Sequence, residues 1–144
     1  MSTRTSTVEW HGSLTGGSGS ITLTSSGQAS FDYSLATRAA DQASTTSPEE
    51  LLAAAYASCY AMQLSALLDP GPDENPVLHV EAMVTQGGPE VDFGIADITL
   101  IVRGRGITRS SEQFVELAQT AATACPIGRA LSSVKTSVDA ALDA

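Results

Sequence analysis

Two cysteines are the residues of this 144-residue chain best equipped for chemistry. Cys59 lies near the middle of SPEELLAAAYASCYAMQLSALL, a run from Ser47 to Leu68 that has no charged residue after Glu50. Cys125 precedes Pro126, which biases it away from helical geometry and toward an element boundary. As a thiolate, a cysteine is a nucleophile, a metal ligand and a two-electron reductant, and its pKa falls beside a helix N-terminus. The packing reading is equally fair for both, since a free cysteine behaves as a small, buried hydrophobe. Neither thiol has a base near it in sequence. His11 and His79 fall in expected strands, and two His with two Cys scattered this way lack zinc-site spacing, so no metal is expected. The stretch TGGSG lacks the Lys and the spacing of a phosphate loop, so no cofactor is expected either. Glu49 and Glu50 are by default dipole-favoured residues of a helix start. Arg38 is noticeable among only 7 Lys plus Arg, and its default reading is a solvated loop cation.

The elements that must position these thiols follow from local pattern. Ser47 as N-cap, Pro48 at the first helical position and Glu50 three residues after the cap open a helix. That helix runs to about Leu68, where DPGPDENP forbids continuation. Its apolar residues point all round, so it is expected to be a long central helix buried on most of its circumference. Val8 to His11 and Ser20 to Ser25 read as short strands around LTGGSG, and Ala29 to Ala36 as a third with Phe31, Tyr33 and Leu35 on one face. Thr37 to Thr46 reads as polar loop. Val77 to Thr85 and Ile95 to Val102 pair around GGPE. Ser110 or Ser111 caps a second helix with Phe114, Leu117, Ala118, Ala121 and Cys125 on one face, and Pro126 breaks or restarts it. Val134 to Leu142 reads as a last strand or a frayed helix, and alternation over Val134, Thr136 and Val138 favours the strand. The expected architecture is α+β, a mostly antiparallel sheet packed on two main helices, in one domain spanning residues 1–144. The apolar faces that carry Cys59 and Cys125 are expected to meet.

Composition narrows the partners. A formal charge of -9, from 7 basic and 16 acidic residues, argues against nucleic acid and anionic membrane surfaces. The N-terminus MSTRTSTVEWHG has no apolar stretch, so neither signal peptide nor anchor is expected, and a cytoplasmic location follows. Two cysteines in that compartment are more readily reduced, buried or catalytic than a permanent crosslink. The Ser47–Leu68 run is almost long enough to span a bilayer. Its small residues with Ser, Cys, Gln and two Tyr suit close protein packing better than lipid.

At SPEELLAAAYASCYAMQLSALL and ATACPIGRAL the chain resembles the OsmC/Ohr family, the osmotically induced and organic hydroperoxide resistance proteins. That family carries N-P-E-(E/Q)-L ten residues, counted from its Glu, before a helix-borne Cys, and later C-P-(I/V)-S-(R/Q). Here Glu49 precedes Cys59 by ten, and Cys125-Pro126-Ile127 matches the second motif with Gly128 in the usual Ser position. The resemblance implies a thiol peroxidase in which Cys59 is the peroxidatic cysteine and Cys125 its resolving partner, joined in a disulfide. It implies an Arg–Glu pair containing Glu49. Ohr-type members carry the Arg after Thr-Gly-Gly, where this chain has Ser18, whereas OsmC-type members carry it before the long helix, where ATR supplies Arg38. The OsmC branch is therefore favoured. The implied partners are a hydroperoxide substrate and a dithiol reductant such as a dihydrolipoyl protein.

Three readings stand at this point: a peroxidase, a non-enzymatic redox-sensing or ligand-binding module using the same thiols, and a protein whose cysteines only fill its core. The apolar surround of Tyr56, Tyr60, Met62 and the leucines favours organic hydroperoxides over hydrogen peroxide. Ten helical residues separate Glu49 from Cys59 by about 15 Å, so one chain does not easily hold Arg38 over its own Cys59. A second helix running antiparallel about a two-fold axis closes that gap, and an intertwined homodimer with shared active sites is expected.

Overall fold

In the computed structural model, which describes residues 1–143, the chain runs β1 (Thr7–His11), β2 (Ser18–Thr22), β3 (Ser30–Tyr33), α1 (Leu35–Arg38), α2 (Pro48–Leu68), β4 (Val77–Gln86), β5 (Ile95–Arg105), α3 (Ser111–Ala124), α4 (Pro126–Ala130) and β6 (Lys135–Leu142). Contacts divide it into two compact units, Met1–Leu51 and Leu52–Ala144. The boundary falls inside α2, which is one continuous helix.

The first unit holds an antiparallel three-stranded sheet in the order β1-β2-β3. Trp10 on β1 and Tyr33 on β3 both sit opposite Gly19 on the central strand. A Cβ at Gly19 would lie 2.6 Å from the Tyr33 ring and 2.8 Å from the Trp10 ring, so only glycine lets the two aromatic rings close over the middle of this sheet. Their centroids are 5.5 Å apart. The expected third strand ends early, at Tyr33, and the expected loop begins with the short helix α1. Ser34 caps it. Its hydroxyl accepts from the Thr37 N–H while the Thr37 hydroxyl accepts from the Ser34 N–H, a reciprocal box that outweighs the strand alternation before it. Arg38 therefore stands in the last turn of a helix and not in a loop.

The second unit carries the core. Along β5 every second residue from Ile98 through Leu100, Val102 and Gly104 faces inward, the period-two pattern of a half-buried strand. β4 pairs with it antiparallel and β6 parallel, so the expected single sheet is two separate three-stranded sheets, one of mixed direction. The parallel pairing arises because α3 and α4 form a crossover connection that returns the chain to the same end of β5. α3 begins at a reciprocal Ser110–Gln113 cap and buries Phe114, Ala118, Ala121 and Ala122. A Cβ at Gly104 would sit 2.9 Å from the Phe114 ring, so the ring packs directly on the β5 backbone. Phe114→Ala is expected to cost about 3–5 kcal/mol. The check is a lower denaturant midpoint with an unchanged slope.

The long helix differs from its expectation in one respect. Within this chain α2 buries a single stripe, Tyr56, Tyr60, Leu64 and Leu68, at a strict four-residue interval. The opposite side, with Ala54, Ala55, Ser58, Met62, Ser65 and Ala66, is exposed. Small unit size is the reason, since one three-stranded sheet and one partner helix cover one stripe. By length and composition α2 is also apolar enough to cross a membrane, with a mean hydropathy of 1.5, although its buried stripe belongs to the protein core. At its start Ser47 accepts from the Glu50 N–H as expected. The Glu50 carboxylate, however, accepts from the Thr46 hydroxyl at 2.6 Å.

Candidate active site

The two cysteines, 66 residues apart in sequence, come together inside the second unit. Cys59 is carried by α2, partly exposed, and Cys125 is completely buried at the junction of α3 and α4. Both are free thiols. Cys125 leaves helical geometry at φ −59°, ψ 133°, as the residue before a proline must, and it serves both as the end of α3 and the cap of α4. Burial pushes its thiol up from the ordinary cysteine range, and the neighbouring Cys59 pushes it further. The backbone N–H groups of Ile127 and Gly128 pull in the other direction without reversing the shift. Cys125 is thus the protonated partner, a buried thiol whose cluster the partly exposed Cys59 packs against.

The second cluster lies in the first unit. Arg38 from the end of α1 and Glu49 from the first turn of α2 form a two-pronged ion pair, Nε to Oε2 at 3.0 Å and Nη2 to Oε1 at 2.5 Å. The side chains retain 30% and 13% of their exposure, so the pair is partly shielded from water. The Arg38 hydrogen bond holds the Glu49 carboxyl below the usual carboxylate range, and the Glu49 hydrogen bond raises the Arg38 guanidinium in turn. A fork held on one edge this way leaves its remaining N–H groups aimed by the pair. Beside Arg38 opens a cleft of about 300 Å³, walled by Trp10, Leu14, Tyr33 and Leu35.

Since the folded carboxyl titrates below its unfolded value, the pair stabilises the protein above the ordinary carboxylate pKa. That contribution is lost as pH falls through the lowered value. Glu49 is therefore expected to titrate at lower pH in the wild type than in Arg38→Ala, followed by its side-chain carboxyl resonance. Identical titrations would mean that the ion pair does not form in solution.

All four site residues expected from the sequence stand in these two clusters, two in each. His11 and His79 stay in β1 and β4, as expected of strand residues. The apolar wall beside Arg38 escaped sequence reading. Its signal was Gly19 between two aromatics, legible only once the strand register is known. The Tyr56 hydroxyl also escaped, because one buried tyrosine in an apolar run looks like core filling.

A family model described as OsmC-like protein matches residues 41–139. Peroxiredoxin OsmC of Escherichia coli is 29% identical over 128 residues, which cover 88% of this chain and 87% of that protein. The solved structure of the organic hydroperoxide resistance protein OhrB of Bacillus subtilis superimposes with a TM-score of 0.63 at 26% identity, covering 96% of this chain and 98% of its own. An organic hydroperoxide resistance protein from Elizabethkingia anophelis gives a TM-score of 0.70 over 99% of this chain and 98% of its own. At 16% identity that is a likeness of fold alone.

Proposed function

Because the chain belongs to the OsmC-like family, whose model matches residues 41–139, we propose that it is a peroxidase reducing hydroperoxides through a Cys59 thiolate. One observation carries the reading: a wholly buried Cys125, its thiol pushed up by burial and by the neighbouring Cys59, stands behind a more exposed Cys59. The sulfur nearer solvent is the one a hydroperoxide can reach, and the sulfur behind it keeps its proton. The names of the relatives, a peroxiredoxin and an organic hydroperoxide resistance protein, support the same class of reaction.

In this reading the Cys59 thiolate attacks the distal oxygen of the hydroperoxide. The O–O bond breaks, the alkoxide takes a proton to leave as alcohol, and Cys59 becomes a sulfenic acid. Cys125 then displaces hydroxide, which departs with the thiol proton as water, and a Cys59–Cys125 disulfide results. A dithiol reductant, such as a dihydrolipoyl protein, returns both cysteines to thiols. Arg38 supplies a permanent positive charge that offsets the desolvation of thiolate and developing alkoxide, and Glu49 fixes its orientation. The aromatic cleft beside Arg38 favours organic hydroperoxides over hydrogen peroxide.

The working form is a two-fold homodimer with each site built from both chains. The exposed α2 stripe supports this, as does the length of helix between Glu49 and Cys59. The test is turnover. Reduced protein with cumene hydroperoxide and excess dithiol is expected to consume many equivalents of peroxide, faster than with hydrogen peroxide. A single oxidation event without turnover would instead make the protein a redox sensor, and no reaction would leave the cysteines as core residues.

A further inference from the structure

The turn that carries Cys125 has a backbone defect repaired from the opposite helix. α3 ends at Ala124, so beyond Ala121, which keeps the Cys125 N–H, the carbonyls of its last turn lose their helical donors. The carbonyl of Ala122 is among them. The residue four positions on, whose N–H a continuing helix would have supplied, is Pro126, which has none. The Tyr56 hydroxyl donates to that carbonyl at 3.1 Å, with the Tyr56 side chain 1% exposed. Gly128 makes the approach possible. A Cβ there would collide with the Ala122 carbonyl oxygen and lie 2.8 Å from the Tyr56 hydroxyl. Tyr60, one turn along α2, donates in the same manner to Ala118 at 2.9 Å. Ala118 differs because it lies inside α3, where its carbonyl keeps a helical donor.

These bonds set the register of α2 against the end of α3. Tyr56 precedes Cys59 by three residues and Ala122 precedes Cys125 by three, so the hydroxyl joins the two segments one turn from the thiols. The hydrogen bonds from the Cys125 N–H to Ala121 and from the Arg129 N–H to the Cys125 carbonyl fix the rest of the turn. We infer that Tyr56 is a positioning residue for disulfide closure, its hydroxyl replacing the donor that Pro126 lacks and holding the Cys125 turn where its sulfur reaches Cys59. The chemistry assisted is displacement at sulfur. Cys125 sulfur bonds to Cys59 sulfur, the Cys59 S–O bond breaks, and hydroxide leaves with the thiol proton as water. The inference takes from the proposed peroxidase function only the source of the sulfenic acid.

The experiment separates first attack from closure in rapid-mixing runs with one equivalent of cumene hydroperoxide. Tyr56→Phe is expected to lose the first thiol at a rate within about twofold of wild type and to form the disulfide about tenfold more slowly or worse. Tyr60→Phe is expected to close like wild type. Gly128→Ser, which drives the hydroxyl from Ala122, is expected to reproduce the Tyr56→Phe defect and serves if that variant does not fold. Closure by diamide, an azo oxidant that takes two electrons and two protons from the thiol pair, gives the same comparison without any hydroperoxide. Should hydroperoxide go unconsumed while diamide closure still depends on Tyr56, the peroxidase reading falls and this one stands. Wild-type closure rates in folded Tyr56→Phe or Gly128→Ser, or an equal loss in Tyr60→Phe, would overturn it.

Discussion

Cys59→Ser is expected to abolish hydroperoxide consumption, lowering the rate by roughly a thousandfold or more, whereas Cys125→Ser is expected to permit one attack and then stall. The asymmetry follows from the placement of the two sulfurs. Cys59 is partly exposed, and Cys125 is wholly buried with its thiol pushed up by burial and by the neighbouring Cys59. A buried, protonated sulfur makes a poor first nucleophile and a suitable second one. Without Cys125 the Cys59 sulfenic acid has no partner, and a second peroxide carries it to the sulfinic level. Mass analysis of each variant after excess peroxide reads the outcome directly. If Cys125→Ser lost the first attack and Cys59→Ser kept it, the roles would be exchanged.

Mixing two inactive variants is expected to restore activity. A Cys59→Ser chain refolded with an Arg38→Ala chain should recover about one quarter of wild-type activity. Half of the randomly paired two-fold dimers are mixed, and each mixed dimer has one intact site if thiol and guanidinium come from opposite chains. The physical ground is twofold. Arg38 and Glu49 are locked together in one chain, and Glu49 and Cys59 are separated by about 15 Å of continuous helix. A stripe of α2 containing Met62, 76% exposed, also lacks cover in the single chain. Light scattering should report a dimer. A stable and fully active monomer, or no recovery in a mixture that demonstrably exchanges chains, would rule the shared site out.

Much of this arrangement was legible in residue order, for identifiable reasons. Ser47 and Pro48 mark the start of α2 and the DPGP stretch its end, and both act locally. Pro126 signals the α3–α4 break just as locally. What escaped depends on partners remote in sequence. The α1 cap is spelled Ser34–Thr37 in place of the usual Ser with Glu or Gln, so Arg38 read as a loop residue. Alternation in β6 identifies a strand without its direction, and only the α3–α4 crossover makes it parallel to β5. The Arg38–Glu49 pair joins residues eleven positions apart across the irregular stretch 39–47, and family resemblance, not spacing, pointed to it. The Tyr56 bond joins residues 66 positions apart, a relation that no local pattern encodes.

The same sequence distance between Cys59 and Cys125 links redox state to resistance against unfolding. A crosslink closing 66 residues removes unfolded-chain freedom worth about 4 kcal/mol at room temperature, provided the native backbone accepts it without distortion. Oxidised protein should then melt at a higher temperature than reduced protein. Oxidant would make the chain harder to unfold at the moment its chemistry is spent, and the reductant that restores it would also return it to its less stable form.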